Sequence, residues 1–197
     1  AIGGIYSERS GVTNLAIEGL QGFGAFVGAL FVVLTSGTQG TDSQVIFYFA
    51  FLFAMIGGMV YSLLHALLCV KFKANQVISG VVINILAMAL TAFLTKQVNK
   101  SVFNQPSDKF QLGVSSRFTV PVLSDIPVVG AVFTNVYPFE VIIIVVAVIA
   151  WFVLYRSRYG LHLRACGDNP HAVDAAGRNV GKIRTVAIMV SGALSGI

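Results

Sequence analysis

Charged residues are scarce in this chain: Asp, Glu, Lys and Arg make up 11% of 197 residues, against roughly 25% in soluble domains. Hydrophobic residues account for 56%, and the mean hydropathy is +0.82. These values predict an integral membrane protein. The net charge of +5 does not indicate nucleic acid as a partner, because the basic residues cluster at the ends of apolar runs, which is the positive-inside pattern.

Motifs of soluble catalysis are also missing. The sequence has no GxxxxGK[ST] phosphate-binding loop, so we do not expect the chain itself to hydrolyse ATP. It has no HExxH, CxxC or GxSxG pattern either. Its two cysteines, Cys69 and Cys166, lack metal-ligand spacing and are predicted to be free thiols at the cytoplasmic side. We therefore predict no catalytic residues, no metal site and no cofactor bound by this chain.

Apolar runs predict an all-α integral membrane bundle of about five spans, treated as one transmembrane domain over residues 1–197. The chain is expected to be a fragment that lacks spans at both ends. About 20 apolar residues are needed to cross a bilayer. The predicted spans are 12–34, 45–70, 75–95 and 139–155, with a truncated fifth from Thr185 onward.

Basic residues give the predicted orientation. Arg9, Lys71, Lys73 and six residues of the loop 156–184 place nine Lys/Arg inside, and four lie outside. The segment 96–138 is then external, and it contains four of the five prolines. Its stretch IPVVGAVF is predicted to form a short re-entrant or surface helix.

Several polar residues lie within the apolar runs. Asn14, Glu18 and Gln21 are spaced i, i+4 and i+7, so one helix would place them on a single face. Polar side chains at membrane depth normally face protein or a water-filled cavity. Two hypotheses remain open: a stripe lining a translocation pathway, or hydrogen bonds that only join helices. The predicted pathway residues are Asn14, Glu18, Gln21, Gln76 and Asn84.

The loop 156–184 contains start and stop signals for a short helix. Asp168-Asn169-Pro170 supplies capping side chains followed by Pro at the first turn, and Gly177 is suited to a left-handed C′ position. Small residues between them leave room for another backbone or a groove to approach. The alternative is an ordinary basic cytoplasmic loop.

Three stretches resemble the permeases of bacterial ABC importers for nucleosides and simple sugars, within the branched-chain amino acid/ribose permease superfamily. They are SERSGVTNLAIEGL (7–20), NQVISGVVINILA (75–87) and GLHLRACGDNPHAVDAAGRNVGKIR (160–184). The departures are mild, since His162 and Arg178 stand where Arg and an aliphatic residue are expected.

The resemblance implies that the loop carries a coupling helix, which docks on a separate ATP-binding subunit holding Mg-ATP. It also implies a second permease subunit, an extracytoplasmic solute-binding protein and a multi-pass location in the inner or plasma membrane. The form of the first stretch favours nucleosides over ribose- or galactose-type sugars. A different alternative is an ion-coupled secondary transporter that uses Glu18. The expected coupling residues are Gly160, Arg164, Asn169, Pro170, Ala172, Ala175, Ala176 and Gly177.

Overall fold

The computed structural model describes residues 2–36, 44–104, 107, 109–110 and 138–196. Every regular element in this part of the chain is helical. A π-helical turn, Leu67–Lys71, extends the third helix. The helices are α1 (Ile2–Arg9), α2 (Ile17–Ser36), α3 (Gln44–Ala66), α4 (Gln76–Phe103), α5 (Pro138–Arg156), α6 (Arg158–Asp168), α7 (Pro170–Ala175) and α8 (Val180–Ser195).

Three described helices are long and apolar enough to cross a membrane: α2, the α3 unit through Lys71, and α4. A fourth unit consists of α5 and α6, which are bent by 69° at the break between them. The predicted fifth span is α8, which has 16 residues and is shorter than the other spans. The described residues thus give three or four candidate spans, where about five were predicted.

The first predicted span is wrong in its inner part. The chain does not run as one helix from Val12, because α1 ends at Arg9 and α2 begins at Ile17. Gly11 between them has a φ of +80°, a left-handed conformation that a right-handed helix does not contain. We call residues 10–16 the helix break. Asn14 lies in this break, so it does not share a helical face with Glu18 and Gln21 as predicted.

Two other boundaries differ from the prediction. The third span continues eight residues beyond Thr95, because α4 ends at Phe103; residues 96–103 of the predicted external segment are therefore helical. The last helix begins at Val180 rather than Thr185, with the Asn179 side chain accepting a hydrogen bond from the Lys182 N–H at 2.9 Å. The IPVVGAVF stretch lies outside the described residues.

Small residues allow the central helices α2, α3 and α8 to approach closely. A Cβ built on Gly28 would lie 2.9 Å from the carbonyl oxygen of Ala50, and one on Gly196 would lie 2.5 Å from that of Ala54. Such contacts are characteristic of helix association in membranes, where close backbone approach replaces the hydrophobic driving force.

The residues predicted to be inside lie at one end of the bundle. Arg184 at the start of α8 donates from Nε to the carbonyl of Ser10, next to Arg9 (3.2 Å). A Cβ on Gly181 would lie 3.7 Å from Val70, beside Lys71. At the far end of α4, the Asn99 amide donates to the carbonyl of Lys109 (3.1 Å). The structure therefore places Arg184 near Arg9 and Lys71 at one end of the bundle, and Lys109 beside the far end of α4.

Candidate functional site

The short helix α7 begins and ends with the signals predicted for it. The Asn169 Oδ1 accepts a hydrogen bond from the Ala172 N–H at 3.1 Å, and Pro170 is the first helical residue. At the other end, the Arg178 N–H donates to the Val173 carbonyl (3.1 Å). The Gly177 N–H donates to the carbonyl three residues before it (2.8 Å), and Gly177 has a φ of +75°. This pair of bonds is a Schellman motif, so the helix end is defined by its glycine.

Nearly all of α7 is exposed. Val173, with 6% of its surface exposed, is its only buried residue and attaches the helix to the rest of the protein. Because only Val173 is buried and Pro170 is half-buried, α7 presents its other side chains to any partner at this end. The exposed members are His171, Ala172, Asp174 and Ala175, followed by Ala176 and Gly177.

A second helix, α6, occupies the part of the loop in which only α7 was predicted. The Ser157 Oγ caps it by accepting from the Gly160 N–H at 3.0 Å. Its buried side chains, Leu163 and Cys166, are three residues apart and lie on one face. This spacing, together with Ser157 as N-cap, is the signal that could have revealed the helix.

Gly160 lies in the first turn of α6 and Arg164 one turn later, so neither is on the exposed surface of α7. A Cβ on Gly160 would collide with the carbonyl oxygens of Val153 and Leu154, so only glycine lets the chain turn this tightly out of α5. The Arg164 guanidinium lies 5.3 Å from the ring centre of Tyr155, and its Nε donates to the Gly160 carbonyl at 3.4 Å. Both residues therefore join the loop to the membrane helix.

An open groove of about 580 Å³ separates α6 from α7. Ala165, Ala172 and Ala176 keep it wide, and Leu161 and Val173 give it apolar walls. Ala175 is exposed on α7 outside this groove. The remaining residues of its lining are His162, Asp168, Asn169 and Arg178.

The helix break and the start of α2 are held by two side chains of α4. Asn84 of α4 accepts from the Gly19 N–H (2.8 Å) and donates to the Leu15 carbonyl (2.9 Å). The Gln76 Oε1 accepts from the Thr13 N–H at 2.7 Å. Irregular backbone at membrane depth is stable only where protein or a water-filled cavity satisfies its polar groups. The hydrogen bonds from Asn84 and Gln76 satisfy polar backbone groups of the helix break and of the start of α2.

Asn14 connects the same break to α8. Its Nδ2 donates to the Ser191 Oγ at 2.9 Å, and its Oδ1 accepts from the Ala16 N–H at 3.1 Å. Asn14 is 4% exposed. Asn14, Gln76 and Asn84 thus make the helix-joining hydrogen bonds that were the alternative to a pathway role.

Glu18 and Gln21 are different, because both are exposed on α2. Gly22 follows them on the same side of the helix, and no atom lies within 4 Å of the position its Cβ would take. From Gly22 outward, an open groove of about 410 Å³ runs between α2 and α4. Its other lining residues are Ala25, Phe26, Ala29, Thr91, Ala92, Thr95, Lys109 and Phe110.

Among the described residues, no group of three His, Cys, Asp or Glu side chains is arranged to hold a metal ion. The features that remain are those of a transport protein: apolar spans, a polar break within the bundle and a helical projection at the end predicted to be cytoplasmic.

Comparison with known families also identifies a transport protein. Residues 1–197 match the family described as branched-chain amino acid transport system / permease component. The chain belongs to this permease family, and it is a multi-pass protein of the cell membrane, as the sequence resemblance predicted.

Particular relatives are similar over essentially the whole chain. It is 37% identical to the guanosine ABC transporter permease protein NupQ of Bacillus subtilis, over 100% of this chain and 60% of the relative. It is 37% identical to the nucleoside ABC transporter permease protein NupC of Lactococcus lactis, with the same coverages. The putative glucose ABC transporter permease protein TsgC13 of Haloferax volcanii is 32% identical, over 99% of this chain and 55% of the relative. The chain thus spans about 60% of the length of the first two relatives. No solved structure matches it.

Proposed function

We propose that this chain forms part of the permease subunit of a bacterial ABC importer for nucleosides. The substrate class rests on the similarity to permeases named for guanosine and nucleosides over the full chain. The similarity to a putative glucose permease makes simple sugars the second candidate. Family membership favours either of these over an ion-coupled transporter that uses Glu18.

The proposed coupling element is α7, and its exposure is the observation that carries the assignment. A helix whose only buried residue is Val173 offers its exposed side chains to a separate subunit. That partner would be the ATP-binding subunit, which would also hold the Mg-ATP. The groove between α6 and α7 would accept side chains of this subunit, and Ala172 and Ala176 would allow close approach.

Movement of α7 would reach the membrane helices by two connections. The first is the tight turn at Gly160, where α6 contacts the end of α5. The second is α8, which follows α7 directly and bonds to the helix break through Arg184–Ser10 and Ser191–Asn14. ATP-driven closure of the partner would then tilt α5 and α8 against α2, giving alternating access by rigid-body motion.

Glu18 and Gln21 are proposed to face the translocation pathway, together with the groove between α2 and α4. Nucleosides are neutral and carry several hydrogen-bonding groups, so exposed carboxylate, amide and hydroxyl groups suit them without a charge pair. A second permease subunit would close the open side of this groove. The segment 96–138 would contact the solute-binding protein, because the basic residues of the sequence predict that it lies on the substrate side.

Uptake by the complete transporter tests this proposal. The transporter is reconstituted in liposomes with ATP inside and loaded binding protein outside, and uptake of labelled guanosine, ribose and glucose is compared. We expect guanosine uptake that requires ATP and is unchanged when the proton gradient is dissipated. Uptake of sugars alone would transfer the assignment to the second candidate. Uptake driven by the proton gradient and abolished in Glu18→Gln would instead establish the ion-coupled alternative.

A further inference from the structure

An apolar crevice separates α1 from α5 near the cytoplasmic end of the bundle. It encloses about 220 Å³. Its floor consists of Tyr6, Ala150 and Leu154, all of which are buried. The Tyr6 hydroxyl donates to the Ala150 carbonyl at 2.6 Å, so the floor has no polar group left free at this point. The walls are Ile2, Ile5, Ala147, Trp151 and Tyr155.

The crevice is open at the surface of the described part of the chain. Trp151 and Tyr155 are 55% and 41% exposed, although they border a cavity. Their rings are 6.1 Å apart. Trp and Tyr are enriched at the boundary between hydrocarbon and headgroups. Their position therefore places the inner rim of the crevice at headgroup depth and its interior within the acyl chains.

The same rim carries positive charge. Arg164 holds its guanidinium over the Tyr155 ring, 5.3 Å from the ring centre. Its Nε–H is used by the Gly160 carbonyl, and its terminal N–H groups have no hydrogen bond within the described part of the chain. Arg156, the exposed last residue of α5, follows Tyr155 directly. None of the residues lining the crevice is acidic.

We infer that this crevice binds an anionic phospholipid of the cytoplasmic leaflet. One acyl chain occupies the space between α1 and α5, and the phosphate is bound by Arg164 and Arg156. An apolar slot with aromatic residues and arginines at its inner rim matches both parts of such a lipid, and basic pockets between membrane helices on this side are suited to anionic headgroups. A purely apolar partner helix would explain the slot but leave the guanidinium of Arg164 without a counter-charge.

A lipid in this crevice would also affect coupling between the cytoplasmic loop and the membrane helices. Arg164 belongs to α6 and the crevice belongs to α1 and α5, so a bound lipid connects the base of the cytoplasmic loop to the membrane helices. The inference does not depend on the transported substrate. It depends on the membrane location of the chain and on the rim charges.

Lipid retention by the complete transporter tests the inference. The transporter is placed in nanodiscs of equal parts phosphatidylglycerol and phosphatidylcholine, extracted in mild detergent and weighed by native mass spectrometry. We expect at least one phosphatidylglycerol to be retained in preference to phosphatidylcholine. Arg164→Gln and Arg156→Gln should each lower that preference by about five-fold, since a basic residue near an anionic lipid contributes roughly that factor. Ala147→Phe, which fills the slot, should lower retention of both lipids.

Lys182→Gln is the matched control, because Lys182 is an exposed basic residue at the same end of the bundle but outside the crevice. It should retain lipid like the unmodified protein. Equal phosphatidylglycerol retention in both arginine variants would overturn the inference. A photo-crosslinking residue in place of Trp151 gives an independent result: crosslinks to lipid are expected, and crosslinks to a protein subunit in the assembled transporter would show that the crevice is a protein interface instead.

Discussion

Asn84 of α4 accepts a hydrogen bond from the backbone N–H of Gly19 at 2.8 Å. Gly19 lies in the first turn of α2, where N–H groups have no partner within their own helix. A side chain from another helix therefore caps α2, and the same amide holds the Leu15 carbonyl. Both α4 and α2 must keep their present register for these two bonds to form together.

Replacing Asn84 should loosen the helix break. Asn84→Leu leaves the Gly19 N–H and the Leu15 carbonyl without partners, which costs about 1–3 kcal/mol. We expect a lower midpoint of thermal unfolding in detergent. Gln97→Leu, which removes an exposed amide further along α4, is the control and should leave the midpoint unchanged. Equal midpoints for Asn84→Leu and the parent protein would mean that the amide does not stabilise the break.

The two glycines at 19 and 22 of α2 provide a paired test of close approach. A Cβ on Gly19 would lie 2.8 Å from the Asn84 Oδ1 and 2.9 Å from its Cα, whereas a Cβ on Gly22 would meet no atom within 4 Å. Gly19→Ala should destabilise the protein by about 1–3 kcal/mol. Gly22→Ala should be neutral or stabilise it by up to about 1 kcal/mol, because alanine favours helix. Thermal unfolding of the two variants, measured side by side, shows whether Gly19 is in close contact with α4. A larger loss of stability in Gly22→Ala than in Gly19→Ala would contradict the α2–α4 geometry.

Local signals predicted the helix in the loop 156–184 better than the first span. Asn169, Pro170 and Gly177 act through the residues next to them, so their roles could be read from the sequence alone. The helix break depends on distant partners. Asn14 has helical spacing with Glu18, yet its amide is satisfied by Ser191, 177 positions away. The spacing could not reveal that partner.

The end of α4 was missed for a related reason. The prediction stopped at Lys96 because charge marks the limit of an apolar run. A helix does not end where the hydrocarbon ends, however, and Lys and Gln are good helix formers. Asn104, with a φ of +51°, is the residue that ends it.

The pathway roles of the predicted polar residues stay predictions. The structure divides these residues into an exposed set and a set that is hydrogen-bonded to other helices.

Thiol labelling distinguishes those two sets. In a variant whose Cys69 and Cys166 are replaced, cysteines at 14, 18 and 21 are treated with a polar thiol reagent in intact membranes. Positions 18 and 21 are exposed and should react, whereas position 14 is buried and should not. Ile143→Cys, exposed on the apolar helix α5, reports the background for a lipid-facing site. Labelling of 18 and 21 no greater than that of 143 would remove them from the pathway.

The end of α7 can be tested without transport. Gly177→Ala adds a side chain at a φ of +75°, which costs about 1–2 kcal/mol although no neighbour would clash with it. We expect faster amide hydrogen exchange over residues 170–178. Exchange over α6 should stay the same, because its cap at Ser157 is separate. Unchanged exchange over 170–178 would show that the glycine does not determine the helix end.

The most direct test of the coupling assignment is the ATPase rate of the complete transporter with Ala175→Arg in α7. The added side chain lies on an exposed position, so folding and insertion should be preserved. Ala74→Arg makes the same change at another exposed position, next to Lys73 at the predicted cytoplasmic end. If α7 docks on the ATP-binding subunit, stimulation of ATP hydrolysis by loaded binding protein should be lost in Ala175→Arg and kept in Ala74→Arg. Normal stimulation in a correctly inserted Ala175→Arg transporter would contradict the assignment.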